Sequence, residues 1–224
     1  LAPLLLFRRS VLRVSGLAKA RVLGYFLAIG FGFILVEIGF MQKFVLFLGH
    51  PFYALAVVLA SLLLASGLGS ALLSGAGVSR WGVRGLVRRT APALAAVLAA
   101  YAVMLGPLFR ALVGLPLGAR IPVAAILVAL PGLLMGTMLP SGVRAANAID
   151  REMVPWAWGL NGAASVVGSV LAFVISLNYG FTASLFAGIA VYLLAMVAMP
   201  FCRQEGPSVT GGQSPGGQGL SGGP

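Results

Sequence analysis

The chain has 224 residues, of which 60% are hydrophobic and only 8% are charged, and its mean hydropathy is +1.04. These values lie far outside the range of soluble globular proteins, so they exclude a soluble enzyme and predict several membrane spans. The net charge of +11 comes from basic residues between apolar runs, where they set topology and meet anionic lipid headgroups rather than nucleic acid. One cysteine and one histidine allow no internal disulfide and no metal site, and no cofactor is expected.

The chain opens with a short apolar run followed by two arginines. This order is typical of the last turns of a span whose beginning is missing, so we expect residues 1–21 to hold the end of a truncated upstream span and a basic cytoplasmic segment. Six longer apolar runs follow, each about 20 residues long, and each predicts a membrane-spanning helix. They lie at 22–45, 52–74, 92–113, 121–139, 156–177 and 181–201.

The predicted fold class is an all-α integral membrane bundle of six helices over residues 22–202. Basic loops are expected at 75–91 and 140–155, and residues 203–224 are rich in glycine, which predicts a flexible cytoplasmic tail. Twelve Lys and Arg residues fall on one predicted side of the membrane and three on the other. The excess of positive charge predicts that both termini are cytoplasmic.

Small residues recur inside the predicted spans at spacings that let helix backbones approach closely. Such residues are typical of helix packing, and a substrate path is the alternative interpretation. The candidate packing glycines are Gly32, Gly39, Gly69, Gly132, Gly136 and Gly168.

Glu37 is the only acidic residue inside a predicted span, at roughly two thirds of the membrane depth, so it must face protein or water. Depth alone allows Arg110 or Ser169 as its partner, whereas Asn161 lies too shallow and is expected to bond Thr137 instead. Two interpretations of Glu37 stay open, a structural ion pair or hydrogen bond and a proton or substrate site. Since its face and the opposite small-residue face both need protein neighbours, the first span should be central or lie at an interface.

Two blocks of sequence resemble a known family. They are GYFLAIGFGFILVEIGFMQKFVLFLGHP at 24–51, continuing to SGLGS at 66–70, and PWAWGLNGAASVVGS at 155–169. Both are similar to the C-terminal multi-pass membrane domain of bacterial spermidine synthase-like membrane proteins. The resemblance implies the bacterial cytoplasmic membrane as location and a soluble aminopropyltransferase-like domain ahead of the helices. It also implies helices similar to half of a major-facilitator transporter.

The sequence contains neither the glycine-rich cofactor loop nor the acidic pair that the resemblance would require for catalysis, so no catalytic residue is assigned. The leading hypothesis is therefore a membrane domain that anchors or serves a catalytic part outside this chain. The first alternative is a non-catalytic accessory subunit of a larger membrane complex. The second is a transporter-like module for a polyamine or another cation, with Glu37 as the intramembrane counter-charge.

Overall fold

Long apolar runs make this chain helical, because a backbone surrounded by lipid can satisfy its hydrogen bonds only within a helix or a closed barrel. The structure is a computed structural model that describes residues 16–199. Its elements in that range are α1 (Gly16–Leu48), α2 (Pro51–Leu68), a π-helical turn (Gly69–Leu73), α3 (Ser74–Leu112), α4 (Leu117–Met135), α5 (Met138–Ile149), α6 (Met153–Tyr179) and α7 (Phe181–Ala198). Only two residues separate α4 from α5, and six stretches of helix are long and apolar enough to cross a membrane. The predicted all-α bundle of six membrane helices is confirmed.

The cations of the described range concentrate at one end of the bundle, where α1 begins and α7 ends. We call it the basic end, and it carries Lys19, Arg21, Arg80, Arg84, Arg88, Arg89, Arg144 and Arg151. The opposite end carries Lys43, Arg110 and Arg120. The basic residues before Gly16 and the glycine-rich tail lie outside the described residues.

The prediction of two basic loops is wrong, because both segments are largely helical. α3 begins at Ser74 and passes through the predicted loop at 75–91, with one break at Gly82 (φ 71°, ψ 166°). α5 continues through most of the predicted loop at 140–155. Arginine and alanine are good helix formers, so a cluster of charges marks where a helix leaves the membrane and not where it ends.

α1 is the central helix of the bundle, and between residues 21 and 45 it has no exposed residue. It packs along α6 on one side and along α7 on another. Small residues make both contacts close: Gly32 lies against the ring of Tyr192, and Gly39 lies against Leu185. Gly168 of α6 receives side chains of α1 in the same way. The expected central position of the first span is therefore what the structure has.

α2 and α4 form a second closely packed pair that runs parallel from the opposite end to the basic end. Gly69 lies against the backbone of Leu133, and Gly136 lies against the backbone of Ser66. Gly132 completes the contact against Ala65. Backbone against backbone leaves no room for a side chain, so these glycines fix how closely the two helices approach.

α5 fastens this region to the start of α1. The hydroxyl of Tyr25 donates a hydrogen bond of 2.7 Å to the carbonyl oxygen of Met138, and the ring of Tyr25 covers Gly142. At the end of α5, the ammonium of Lys19, itself buried, donates to a carboxylate oxygen of Asp150 at 3.0 Å. A polar clamp of this kind holds the two helices together at the basic end.

We predict that Gly69→Ala and Gly136→Ala each destabilise the bundle by about 2 kcal/mol or more, because the added methyl group meets backbone that cannot turn aside. The matched control is Gly67→Ala on the same helix as Gly69, since nothing lies within 4 Å of a Cβ at that position. Thermal unfolding in detergent measures the effect. The control should be neutral or more stable by about 0.5 to 1 kcal/mol, and equal loss in all three variants would contradict this packing.

We also predict an acid sensitivity that depends on Asp150. The hydrogen bond from Lys19, together with one from the backbone N–H of Glu152, holds the pKa of Asp150 below its usual range. A carboxyl with a depressed pKa stabilises the folded state above its unfolded pKa of about 4, and this contribution is lost as the pH falls through the lower folded pKa.

The melting temperature of the native chain should therefore fall more steeply below about pH 4 than that of Asp150→Asn, which lacks the ionisable group. The variant should also be the less stable of the two near pH 7. If the melting temperatures of the two proteins fell in parallel across the acid range, the ion pair between Lys19 and Asp150 would not contribute to stability.

Candidate functional site

A cleft of about 440 Å³ lies between the two closely packed groups of helices. One group consists of α1, α6 and α7, and the other is formed by α2 and α4. Within the described range, α2 and α6 form no extended interface, so the cleft lies in the gap that separates the groups. Its polar lining residues are Ser66, Ser70, Asn161, Ser165 and Tyr192.

Two of these polar groups are already satisfied by the backbone. The hydroxyl of Ser66 donates to the carbonyl oxygen of Leu63 at 3.1 Å. The hydroxyl of Ser165 lies within hydrogen-bond distance of the carbonyl oxygens of Gly30 and Asn161, at 3.3 and 3.1 Å. These hydroxyls have used their one proton donor within the protein, so they offer a ligand only an acceptor oxygen.

Three other groups are free to bind. The side-chain amide of Asn161 and the hydroxyls of Ser70 and Tyr192 make no hydrogen bond with any residue in the described range 16–199. Each of them lines the cleft, which gives a largely apolar pocket with one amide and two hydroxyl groups. Pockets of this composition are typical of sites for small molecules, in which a few polar groups fix the orientation of an apolar body.

Local irregularities of the helices place these groups. Ser70 lies in the π-helical turn, where a wider turn changes the direction of the side chains relative to an ordinary α-helix. Gly136 lies at the interruption between α4 and α5 and lines the cleft on the other side. Tyr192 is positioned by Gly32, whose missing side chain leaves room for the aromatic ring.

Glu37 lies just beyond the cleft. Ile29 and Phe33 of α1 line it, and Glu37 follows Phe33 by one helical turn on nearly the same face, about 6 Å farther along the axis. Its side chain is half-buried. It makes no hydrogen bond or ion pair with any residue that the structure describes. A carboxylate at membrane depth is costly unless water or a cation satisfies it.

The partners that depth allows for Glu37 do not pair with it. Arg110 is exposed and lines a different cleft together with Lys43. The hydroxyl of Ser169 donates to the carbonyl oxygen of Val166 in its own helix at 2.7 Å. The structural interpretation of Glu37 therefore loses both of its named partners.

The expected bond between Thr137 and Asn161 does not form either. Thr137 is fully buried, and its hydroxyl donates to the carbonyl oxygen of Leu134 at 2.8 Å. Thr137 lies between α4 and α5, and a threonine next to a helix end often bonds a carbonyl oxygen of the preceding turn in this manner. Asn161 is thereby left free to face the cleft.

Several residues of the site have little signal in the sequence. Ser66, Ser70 and Ser165 look like ordinary small packing residues, and Tyr192 is one aromatic residue in a long apolar run. A tyrosine well inside a span is a usable signal, because its hydroxyl needs a partner or a cavity. His50, by contrast, is the N-cap of α2, where its Nδ1 accepts a hydrogen bond from the backbone N–H of Phe52 and its ring packs against Tyr53.

Comparison with known proteins adds no identification, because the chain matches no protein-family model, no curated sequence and no solved structure. The resemblance to spermidine synthase-like membrane proteins and to half of a major-facilitator transporter therefore stays a prediction.

We predict that a cysteine in place of Ser165, in a chain whose native Cys202 is replaced by serine, reacts readily with a small thiol reagent. The cleft is open to such a reagent. The matched control is Ser184→Cys, because Ser184 is fully buried and bonds the carbonyl oxygen of Leu35. The rate of labelling in detergent should be at least about tenfold higher at residue 165. Equal rates at the two positions would mean that the cleft is closed in solution.

Proposed function

We propose that this chain is the membrane domain of a spermidine synthase-like protein, and that it serves a catalytic part outside residues 16–199 by holding an amine-bearing ligand in the cleft between the helix groups. The observation that carries the proposal is Glu37, a half-buried carboxylate without a partner in the described range, one turn beyond Phe33 of the cleft. The family resemblance supplies the class of ligand, a polyamine.

The chemistry of the cleft fits such a ligand. An ionised carboxylate at this depth costs several kcal/mol unless a cation or water satisfies it, and an ammonium group of a polyamine would do so. The mostly apolar walls would contact the methylene segments. The free groups of Ser70, Asn161 and Tyr192 would bond the remaining polar atoms.

The location of the cleft fits service to a catalytic part at the basic end. Asn161 lies about 12 Å along α6 from its first residue, so the cleft is nearer to the basic end than to the opposite end. The excess of cations there favours a cytoplasmic position for this end, in a bacterial cytoplasmic membrane. Trp81 lies at the same end with the guanidinium groups of Arg80 and Arg89 at 5.6 and 4.5 Å from its ring, which suits a surface that meets anionic lipid headgroups.

A transporter-like module is the second candidate, and the gap between the two helix groups favours it. A ligand bound beside Glu37 would lie between two units, each tightly packed within itself, and rocking of such units would change its access. Six helices are half of the usual number for that mechanism. The candidate therefore also requires a second copy or another half-transporter.

An accessory role in a larger membrane complex is favoured by α6, whose outer face is apolar and exposed over several turns. The residues of that face include Val166, Val170, Phe173 and Leu177. Purification from native membranes in mild detergent separates this role from the leading proposal. Recovery of an aminopropyltransferase-like domain, in the same polypeptide or bound to it, supports the leading proposal, and recovery of unrelated membrane subunits supports the accessory role.

We predict that the purified chain binds spermidine and that Glu37→Gln weakens binding by about tenfold or more, because the amide keeps the shape but removes the charge. The thermal stability of the variant should not fall, since Glu37 has no partner to lose among the described residues. Titration of the detergent-solubilised protein by calorimetry measures both the affinity and its dependence on salt.

The matched control is Glu152→Gln, which removes one exposed carboxylate at the basic end and leaves the cleft intact. An equal loss of affinity in the two variants would indicate unspecific attraction of a cation. Absence of spermidine binding in the native chain would overturn the proposed ligand, and a large drop in melting temperature of Glu37→Gln would assign Glu37 a structural role.

A further inference from the structure

A second cleft, of about 240 Å³, lies at the opposite end of the bundle, far from the polyamine site proposed above. Only three cations of the described range lie at this end, and two of them, Lys43 and Arg110, line the cleft. The third, Arg120, is engaged elsewhere, since its guanidinium donates to the carbonyl oxygen of Phe47 at 2.9 Å. Two of the three cations at this end therefore line the same small cleft, and this arrangement needs a physical explanation.

Lys43 is the more unusual of the two. Its residue is only 7% exposed, yet its ammonium makes no hydrogen bond or ion pair within the described range. The ammonium contacts an aromatic face instead: its nitrogen lies 4.8 Å from the centre of the Phe181 ring. A cation–π contact offsets only part of the cost of removing an ammonium from water, so an anion bound in this cleft would stabilise Lys43.

Arg110 adds the second charge at the edge of the same cleft. The neighbouring Phe109 stacks on Phe47 at 4.4 Å between ring centres, which fixes this part of α3 against α1. The acidic residues of the described range lie elsewhere: Asp150 and Glu152 are at the basic end, and Glu37 is about 9 Å closer to the basic end along α1 and on a different face from Lys43. An anion for this cleft must therefore come from outside the described chain.

We propose that Lys43 and Arg110 bind the phosphate group of an anionic phospholipid. The rim of the cleft favours a lipid over a free anion, because Leu46 and Val113 line it and are 66% and 53% exposed, which offers an apolar surface for an acyl chain. A headgroup with net negative charge is favoured over a zwitterionic one, since a quaternary ammonium would add a third cation to the site.

Native mass spectrometry of the detergent-solubilised full chain tests the proposal, with added phosphatidylglycerol, phosphatidylcholine or inorganic phosphate as the three arms. The native chain should retain phosphatidylglycerol, bind phosphatidylcholine at least about fivefold more weakly and be unaffected by excess inorganic phosphate. Lys43→Met and Arg110→Gln should each weaken retention of phosphatidylglycerol about fivefold, the change that corresponds to one cation near an anionic headgroup.

Arg120→Gln is the control for net charge at the same end and should keep the lipid. Arg110 is exposed, so its variant keeps the test decisive even where Lys43→Met fails to fold. Three outcomes would each overturn the proposal. Arg110→Gln could retain phosphatidylglycerol as well as the native chain does, inorganic phosphate could displace the lipid, or Arg120→Gln could weaken lipid retention as much as Arg110→Gln does. Glu37→Gln should leave lipid retention unchanged, which separates this site from the proposed polyamine site.

Discussion

Close approach of helix backbones is the constraint on which the rest of this structure depends. Between membrane helices there is no hydrophobic driving force, since lipid tails are as apolar as leucine, so association rests on van der Waals contact and a few hydrogen bonds. Glycine at the points of contact maximises that contact: Gly32 and Gly39 bring α7 onto α1, and Gly69 and Gly136 bring α2 onto α4. Between α2 and α6 the described residues form no such contact, although Gly67 and Ser165 line the space between them, and the helices stay apart.

The cleft follows from that uneven packing. α1 packs on α2 as well as on α6 and α7, but α2 and α6 form no extended interface in the described range, and the gap between them is bordered by the irregular turns at Gly69–Leu73 and Gly136. The same turns place Ser70 on the wall of the gap. Helix packing and the candidate binding site therefore have one cause, and a change that closes the gap between α2 and α6 would remove the candidate site without touching its polar residues.

The helical fold and the central position of α1 could be predicted from the sequence, because composition and the length of apolar runs report directly on membrane spans. Helix ends could not, since the arginines between 75 and 91 show where the membrane ends while the helix continues. The position of Glu37 along its helix predicts that its side chain faces protein or water, and the structure has it half-buried. Its pairing with Arg110 could not be judged from depth, because depth along a helix gives no information on which face meets which neighbour.

Polar side chains without partners are costly in a membrane, and within residues 16–199 several of them border a cleft. Glu37, Asn161 and Tyr192 lie at or beside the cleft between the helix groups, and Lys43 lies in the cleft at the opposite end. Residues that serve only the fold, such as Thr137 and Ser184, donate their hydroxyl hydrogen bonds to nearby carbonyl oxygens. The fold can therefore satisfy a buried polar group from its own backbone. Among the described residues it does not do so for Ser176, whose hydroxyl is buried without a hydrogen-bond partner, nor for the side chains at the two clefts, where a ligand has room to bind.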